Sequence, residues 1–298
     1  MSKIKELYHD LVRRHWVLGI GPFFQELTDP NLTHQIRWID SNTTDSWYAD
    51  PFILNEDENS FEILVEEFPY TTKKGRITWL RVDKHEWKVV ETKVLLDLPT
   101  HLSFPCYFKV DGRVYVYPEN SASGVSNLYI YNPEIKQLEF KIEWCKESLT
   151  DAVLYDIDGA QFLLSTVHPN ENGSTLKIFR KSGDDVFEVC QEYSFDENKA
   201  RNAGVPFTIN GKLIRPAQIS NTGYGEGMVL QEVSCIDGQF SFTDIRRMKS
   251  PLKDYPLAFH TMNVYEDKWV VYDAQGYKHK ILGPIVTKIS TAIKKFVR

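Results

Sequence analysis

The sequence lacks several features that would narrow its function at once. No apolar run approaches the roughly twenty residues that are needed to cross a bilayer, and the N-terminus shows no secretory signal peptide. The four cysteines are far apart and show no Cys-x-x-Cys spacing, so neither a zinc knuckle nor a redox motif is indicated. We therefore expect a cytoplasmic protein with reduced cysteines.

The sequence also has no excess of positive charge and no phosphate-binding loop motif. The net charge of −6 gives the protein no overall attraction to nucleic acid, so we expect no nucleic-acid partner. Gly19-Ile20-Gly21 has no strand-turn-helix context, and the glycines from 223 to 227 have no accompanying lysine. A dinucleotide fold and a phosphate loop are therefore both disfavoured.

Five repeated units of about fifty residues make up most of the chain. Each contains a polar cluster, a strand, a tight turn and a second apolar strand. The second strands lie at 58–65, 111–117, 158–164, 210–214 and 266–272. Turns such as Asp111-Gly112 and Asn210-Gly211 favour type I′ hairpins. So small a sheet cannot bury its own faces, and the repeat predicts an all-β, five-bladed β-propeller with short N- and C-terminal helices.

The two ends of the chain differ from the repeats. We expect a single domain with an N-terminal helix and strand, the blades, and a C-terminal amphipathic helix, at 1–24, 25–283 and 284–298. Apolar residues at helical spacing predict that the first helix covers residues 3–14 and packs on the body. In the last helix an apolar stripe lies beside Lys288, Lys294 and Lys295. This helix can dock on the propeller, which we favour, or lie peripherally on the inner face of an anionic membrane.

Polar residues begin each repeat at regular intervals. The clusters lie at 47–52, 101–105, 150–152, 201–204 and 260–263. Asp50 and Ser103 are 53 residues apart, Ser103 and Asp151 are 48 apart, and we align the three as equivalent. Equivalent positions of a propeller face the same axis, so these side chains should converge on one central pocket.

Cationic residues accompany these clusters. Lys74, Arg201 and Arg215, with His101 and His260, would create a basic cavity in an acidic protein if they point inward. Guanidinium groups bind carboxylate or phosphate through two hydrogen bonds, which would suit a uronic acid, phosphosugar, lipid-linked phosphate or sugar nucleotide. The alternative is that the two arginines neutralise the acidic residues of the ring without a ligand.

Several of the acidic candidates have a purely structural alternative. Asp50 precedes a proline and can simply begin a turn, and Asp151 can bind the backbone of a neighbouring blade. Glu66 and Glu67 cannot both face the channel, because neighbouring strand residues point to opposite faces, and we assign Glu67 to the site. Glu119 can act as an acid or pair with an arginine, and we favour pairing.

Two segments resemble the first and third blades of family 43 glycoside hydrolases. They are Tyr48-Ala49-Asp50-Pro51-Phe52 and the stretch from Thr150 to Gly159. The resemblance implies a general base at Asp50 and a pKa-tuning carboxylate at Asp151. The family's general acid is a Glu in a Glu-Gly-Pro-like segment opening the fourth blade, where this chain has Ala203-Gly204-Val205-Pro206. That acid is missing. Histidines 101 and 260 define no metal site by themselves, and a central calcium ion near residue 260 follows only by analogy with this family.

A second resemblance extends from about Trp47 to Asp273. Its motifs are Ala49-Asp50-Pro51-Phe52, Glu66-Glu67, Leu102-Ser103-Phe104-Pro105, Pro118-Glu119, Arg201-Asn202, and Gln218 with Tyr224-Gly225. Together they resemble the N-terminal propeller domain of glucosamine inositolphosphorylceramide transferases and its stand-alone bacterial relatives. In the plant proteins a glycosyltransferase domain follows this propeller. The resemblance therefore implies a role in glycan assembly.

These observations predict a carbohydrate-active protein of polysaccharide or glycolipid biosynthesis that handles an anionic or activated sugar in the central pocket. The catalytic candidates are Asp50, Asp151 and Glu119. The substrate-binding candidates are Glu67, Lys74, His101, Ser103, Arg201, Asn202, Arg215, Gln218, Tyr224 and His260. We expect an enzyme in which Asp50 is the base or charge stabiliser at the anomeric carbon, with no metal. One alternative is a sugar-recognition module serving a partner glycosyltransferase, and another is a glycoside hydrolase with a displaced acid.

Overall fold

The computed structural model describes residues 3–24, 26–27, 29, 32–157, 159–183 and 186–296. Asp158, expected in a hairpin turn, and the last two residues of the predicted C-terminal helix lie outside this part. In chain order the elements are α1 (Lys3–Leu11), β1 (Arg14–Pro22), β2 (Arg37–Trp38), β3 (Ser46–Glu56), β4 (Ser60–Pro69), β5 (Arg76–Asp83), β6 (Lys88–Leu96), β7 (Ser103–Val110), β8 (Arg113–Glu119), β9 (Ser126–Asn132), β10 (Gln137–Cys145), β11 (Leu149–Ile157), β12 (Ala160–Val167), β13 (Thr175–Lys181), β14 (Phe187–Ser194), β15 (Phe207–Ile209), β16 (Lys212–Ile219), β17 (Gly227–Ile236), β18 (Gln239–Met248), β19 (Met262–Tyr265), β20 (Trp269–Tyr277) and α2 (Leu282–Phe296).

The strands of this part form five antiparallel four-stranded sheets, which are the blades of a five-bladed β-propeller. Blade 1 is β3–β6, blade 2 is β7–β10, blade 3 is β11–β14 and blade 4 is β15–β18. The predicted fold class is confirmed. The five apolar strands expected after the tight turns are β4, β8, β12, β16 and β20.

Blade 5 closes the ring with strands from both ends of the chain. Its order is β19-β20-β1-β2, and β1 pairs with β20 from Arg14 opposite Tyr277 to Pro22 opposite Trp269. The strand expected to precede the blades is therefore itself a blade strand. Hydrogen bonds between strands from the two ends of the chain thus complete the fifth blade and close the ring.

Apolar side chains between neighbouring blades form the core. Phe52 of blade 1 meets Phe104 of blade 2 edge to face with ring centroids 5.0 Å apart, and Phe162 and Phe240 join blades 3 and 4 at 5.0 Å. The blade faces are covered on both sides, so central strands such as β4 read as almost continuous apolar runs. The first strands of the blades lie nearest the axis, where β3 contacts β7, β19 and β20.

Helices α1 and α2 pack against each other at one side of the ring. The Tyr8 hydroxyl donates a hydrogen bond to Ser290 Oγ at 3.1 Å. Helix α1 ends at Leu11, earlier than predicted, because the chain enters β1 at Arg14. Neither helix of the described chain is both long and apolar enough to cross a membrane.

Candidate functional site

A cavity of about 300 Å³ lies at the centre of the ring, and we call it the axial cavity. Its lining side chains come from blades 1 to 4 and from the loops at their ends: Asp50, Glu66, His101, Ser103, Glu119, Glu171, Asn172, Arg201 and Tyr224. Four of them are carboxyl groups, one is a guanidinium group and one is an imidazole. Three of the five leading clusters, at 47–52, 101–105 and 201–204, meet here with the strand-end residues Glu66 and Glu119, and carboxyl groups dominate the lining. The clusters at 150–152 and 260–263 contribute no side chain to it.

The innermost strands of blades 1 to 3 share a backbone irregularity at the cavity. Asp50, Phe104 and Asp151 have φ angles of 49°, 42° and 46°, in the left-handed region that such residues seldom adopt. Each lies where the pairing with the next strand shifts register. A bulge of this kind re-aims the side chains that follow it and is often found beside active sites. The structural equivalent of the two aspartates is therefore Phe104 rather than the neighbouring Ser103 that the spacing suggested.

Asp50 links blades 5, 1 and 2. Its Oδ1 accepts a hydrogen bond from the Thr261 hydroxyl at 2.8 Å, and its Oδ2 accepts one from the Phe104 backbone N–H at 3.1 Å. Its own N–H donates to Asp273 Oδ2 at 2.9 Å. Burial raises the pKa of Asp50 to about 6, with His260 opposing the shift and Asp151 adding to it. The carboxyl group is thus an ionised base at neutral pH that gains a proton in mild acid.

His260 lies between Asp50 and Asp273, stacked on Trp16 with ring centroids 4.1 Å apart. Its Nδ1 is 2.8 Å from Asp273 Oδ1, and its Nε2 is 3.6 Å from Asp50 Oδ1. Burial opposes the charged ring, but the charge and hydrogen bond of Asp273 together with the charges of Asp50 and Asp151 outweigh it and raise the pKa of His260. The His260 ring therefore lies between two buried carboxyl groups, with Asp273 as its hydrogen-bond partner.

The same three residues are close enough to share a metal ion, with ligand atoms within 4.8 Å of one another. Calcium takes roughly six to eight oxygen ligands. Asp273 Oδ1 already accepts from the His260 ring and from the Thr261 N–H, and its Oδ2 accepts from the Asp50 N–H. These oxygens already accept hydrogen bonds from the protein, so the residues do not fit a calcium ion.

Arg201 joins Asp151 to Glu119 at the floor of the axial cavity. Its Nε and Nη2 donate to the two oxygens of Asp151 at 2.6 and 3.1 Å, and Nη2 also donates to Glu119 Oε2 at 3.1 Å. Burial works against ionisation of Asp151, yet the Arg201 charge and hydrogen bonds lower its pKa below the ordinary value. Asp151 is therefore a permanent anion paired with a permanent cation.

Glu119 is the proton-rich partner of this group. Burial raises its pKa to about 8; Arg201 opposes the shift and the Asp151 charge adds to it. Arg201 makes two hydrogen bonds to Asp151 and one to Glu119, so its charge mainly serves Asp151. Environment thus separates the pKa values of two neighbouring carboxyl groups, which is a common arrangement in acid–base sites.

Replacing Glu119 with glutamine should flatten the dependence of stability on pH. Folded Glu119 keeps its proton up to about pH 8, whereas the unfolded chain releases it near 4.5. Between these values the folded state binds more protons, so the free energy of unfolding falls as pH rises, by up to about 1.4 kcal/mol per pH unit. Glu119→Gln removes this contribution, so it should stabilise the protein relative to wild type increasingly from pH 5 to pH 8 in urea titrations.

Glu134→Gln is the matched control, because Glu134 is exposed, and its free energy of unfolding should equal that of wild type at pH 5 and at pH 8. An equal pH slope in Glu119→Gln and wild type would show that Glu119 is ionised in the folded protein throughout this range.

Glu66 faces the axial cavity opposite this pair. Burial raises its pKa well above the ordinary value, and the Asp50 and Glu119 charges add to the shift. Its Oε1 has no hydrogen-bond partner among the described residues, and it lies 3.3 Å from His101 Nε2. His101 Nδ1 accepts from the Gly75 N–H at 2.9 Å, so a neutral ring carries its proton on Nε2, towards Glu66. An unsatisfied buried acceptor at a cavity wall is a position that a ligand can fill.

Six of the ten predicted ligand-binding residues do not line the axial cavity: Glu67, Lys74, Arg215, Asn202, Gln218 and His260. Glu67 points to the opposite face of β4 from Glu66 and accepts from Arg76 and Thr78 at 2.9 and 2.8 Å. Lys74 donates to Asp97 at 2.6 Å on the outside of blade 1. The prediction that Glu67 and Lys74 line the cavity was wrong, because residues at strand ends and in loops show no clear alternation between inward and outward positions in the sequence.

Arg215 also lies outside the cavity, and with it the predicted basic character is lost. It is fully buried within blade 4, where it donates to Asn202 at 2.8 Å and to Gln231 at 2.7 Å. Burial lowers its pKa to about 9. Arg201 remains the one guanidinium group among the residues named as lining the cavity, and it is already paired with two acids.

Asn202 and Gln218 support the cavity without lining it. Asn202 Nδ2 donates to the backbone oxygens of Asp151 and Leu164 at 2.8 Å each, tying blade 4 to blade 3. Gln218 Nε2 donates to Asp151 Oδ2 at 2.8 Å. Both residues therefore fix the position of the permanent anion.

Tyr224 and two loop residues complete the wall. The Arg201 guanidinium lies 5.3 Å from the centre of the Tyr224 ring, which meets His260 edge to face at 5.3 Å. Glu171 and Asn172 come from the loop between β12 and β13, and Asn172 Oδ1 accepts from Arg201 Nη1 at 3.1 Å. Sequence reasoning did not find these two, because a polar loop carries no periodic signal.

The chain is similar in sequence to one family of plant glycosyltransferases. The family model described as glucosamine inositolphosphorylceramide transferase 1, N-terminal, matches residues 27–252. Glucosamine inositolphosphorylceramide transferase 1 of Arabidopsis thaliana is 23% identical over 225 residues, which are 70% of this chain and 28% of that protein. The protein of the same name in Oryza sativa subsp. japonica is 28% identical over 204 residues, 63% of this chain and 26% of that protein. The chain thus spans about a quarter of the length of these relatives.

Solved structures share the fold at much lower identity. A GH43 β-xylosidase/α-arabinofuranosidase from a compost microbial metagenome superposes with a TM-score of 0.55 at 13% identity, covering 79% of this chain and 87% of that chain. A GH43_1 enzyme from Xanthomonas citri gives a TM-score of 0.54 at 12% identity, covering 78% and 88%. At these identities the likeness establishes the fold alone.

Proposed function

Because this chain belongs to the family described as glucosamine inositolphosphorylceramide transferase 1, N-terminal, we propose that it is a carbohydrate-active protein of glycan or glycolipid assembly whose axial cavity binds a sugar and takes part in chemistry at a glycosidic bond. The observation that carries the proposal is that two carboxyl groups with separated pKa values, Asp50 and Glu119, line one cavity, and that Arg201 of the same lining is paired with the buried Asp151. Asp50 has a pKa of about 6, Glu119 one of about 8, and Asp151 remains ionised.

Chemistry at a glycosidic bond needs one group that donates a proton to the leaving oxygen and one that accepts a proton or stabilises positive charge. Between pH 6 and pH 8, Glu119 holds a proton that it can donate and Asp50 is ionised. Asp151 stays negative beside Arg201 and can stabilise an oxocarbenium-like charge. In this proposal Glu119 takes the part of the acid that is missing from the fourth blade.

The charge of the axial cavity favours an uncharged or cationic sugar ring. Its one guanidinium group is shared by Asp151 and Glu119, so an added phosphate or carboxylate would compete with two buried acids for the same cation. An amino sugar would instead place its ammonium group among carboxyl groups. The relatives' name contains glucosamine, and a sugar of that class is our first candidate ligand.

A substitution at Asp50 tests the proposal. Binding is measured calorimetrically with glucosamine, xylose, glucose 1-phosphate and a uridine diphosphate sugar, and turnover is measured with nitrophenyl glycosides and with sugar nucleotides plus acceptors. We expect the amino sugar to bind. The rate of turnover plotted against pH should be bell-shaped, with its maximum between pH 6 and pH 8. Asp50→Asn should keep binding within a few-fold and lower turnover at least about a hundredfold.

Asp237→Asn is the matched control, because Asp237 has a φ angle of 50° like Asp50 but lies in an exposed turn. Its turnover should equal that of wild type. Absence of binding to every sugar tested would refute the proposal.

A sugar-recognition module serving a partner glycosyltransferase is the second candidate, and the start of blade 4 favours it. Ala203 is fully buried, and a Cβ at Gly204 would lie 1.9 Å from the Met262 carbonyl oxygen, so neither position can present a carboxyl group to the cavity. Sugar binding that survives Asp50→Asn, with no turnover by wild type on any donor, would establish this candidate in place of the enzyme.

A further inference from the structure

Helix α2 carries an exposed row of large apolar side chains. Leu282, Ile285, Ile289 and Ile293 are spaced by three or four residues and are 51%, 49%, 54% and 57% exposed, so they form one face of the helix. We call this face the apolar stripe. Leu7 of the neighbouring α1 is 60% exposed as well. Isolated exposed leucines are ordinary, but a continuous stripe of four is not.

The orientation of the stripe is fixed by contacts on the other side of the helix pair. Tyr8 of α1 donates to Ser290 of α2 at 3.1 Å, and His279 lies 2.9 Å from Asp10. A Cβ at Gly283 would lie 2.6 Å from the Tyr277 ring, which shows how closely the start of α2 is packed on β20. The helix is therefore seated on the propeller, and the stripe faces away from it.

Positive charge is concentrated in the same segment. Residues 274–298 contain six of the 35 lysines and arginines and none of the 41 aspartates and glutamates, in a chain of net charge −6. Lys288 is exposed beside the stripe. Both helices lie outside residues 27–252, so this surface is not part of the region that matches the family model.

We propose that the apolar stripe of α2 lies in the interface of an anionic lipid bilayer, with the lysines of the segment on the headgroups. A helix of 15 residues is about 22 Å long, too short to cross a bilayer core of about 30 Å but sufficient to lie along its surface. An apolar face flanked by lysines is the pattern of interfacial helices, and lipid phosphates supply the complementary charge. Symmetric pairing of two copies through the stripe would bring the lysines of both together.

Vesicle flotation of the full chain tests this inference. Wild type should float with vesicles of phosphatidylglycerol and phosphatidylcholine, but not with phosphatidylcholine alone, and raised salt should weaken binding. Ile285→Ser with Ile289→Ser should lower the partition coefficient about tenfold or more. Lys288→Glu should lower it roughly fivefold or more. The matched control is Phe140→Ser with Ile236→Ser, two exposed apolar residues on blades 2 and 4, which should bind as wild type does.

Circular dichroism checks that every variant keeps its fold, which we expect because the altered side chains are exposed. Failure of folded wild type to bind anionic vesicles, or equal binding by the double isoleucine variant, would overturn the inference. A dimer in light scattering that the isoleucine variant dissociates would overturn it in favour of a second copy of the chain. Sugar binding in the axial cavity should be unchanged in these variants, so this test is independent of the proposed function.

Discussion

Replacement of Arg201 with methionine should lower the free energy of unfolding by about 3–5 kcal/mol, one of the two largest effects that we expect from a single substitution in this protein. Arg201 donates to both oxygens of Asp151 and to Glu119, and the Arg201 and Asp151 side chains are buried. Without the guanidinium, the buried Asp151 must either remain an uncompensated anion or take up a proton. Urea titration at pH 7 measures the loss.

Two further variants make this prediction specific. Arg247→Met removes a half-exposed guanidinium that pairs with Glu197 and Asp244, and it should cost no more than about 1 kcal/mol. Adding Asp151→Asn to Arg201→Met should restore part of the lost stability, because the uncompensated anion is then gone. If Arg201→Met and Arg247→Met are equally stable, the buried group does not hold the ring together as described.

The architecture could be predicted because its signals are local and repeated. Turns such as Asp111-Gly112 and Asn210-Gly211 fix where each hairpin reverses, and the apolar strands that follow them must be covered on both faces. Five such units leave few arrangements other than a ring. Ring closure by β1 was not foreseen, because the partner of this strand lies about 250 residues away and no local pattern records that pairing.

The candidate site was predictable as a location but not in all its members. The spacing of Asp50 and Asp151 placed them at one axis, and both are buried, Asp151 in an ion pair with Arg201. A bulge in the inner strand of each of blades 1 to 3 shifts the side-chain alternation, so spacing alone aligned Ser103 where Phe104 belongs. The choice between Glu66 and Glu67 failed for the same reason. Neighbouring residues of β4 point to opposite faces, and the sequence does not show which face lies towards the cavity.

The predicted positive charge of the cavity was wrong, because its lining has four carboxyl groups and one guanidinium group. Counting cations in the sequence suggested a basic pocket, yet Lys74 lies outside it and Arg215 is buried among the amides of Asn202 and Gln231. A long side chain can reach several partners from one backbone position, so its direction depends on tertiary packing. The proposed ligand moves accordingly from an anionic sugar to an uncharged or cationic one.

Gly204→Ala should destabilise the protein by about 3 kcal/mol or more, because its methyl group has nowhere to go. A Cβ at this position would lie 1.9 Å from the Met262 carbonyl oxygen and 2.8 Å from Asn263 Oδ1. The Met262 N–H donates to the Ala203 carbonyl at 2.7 Å, so backbone hydrogen bonding clamps blade 4 to blade 5 at this point. The backbone must move apart, and sugar binding in the axial cavity should weaken with it.

Gly223→Ala is the matched control for this prediction. A Cβ at Gly223 meets no atom within 4 Å, and the residue does not have a left-handed backbone. Its free energy of unfolding should stay within roughly 0.5 kcal/mol of wild type. Urea titration of both variants measures the difference, and a Gly204→Ala variant as stable as Gly223→Ala would mean that blades 4 and 5 do not approach as closely as the structure shows. If Gly204→Ala loses stability and sugar binding while Gly223→Ala keeps both, the contact between blades 4 and 5 is what shapes the axial cavity.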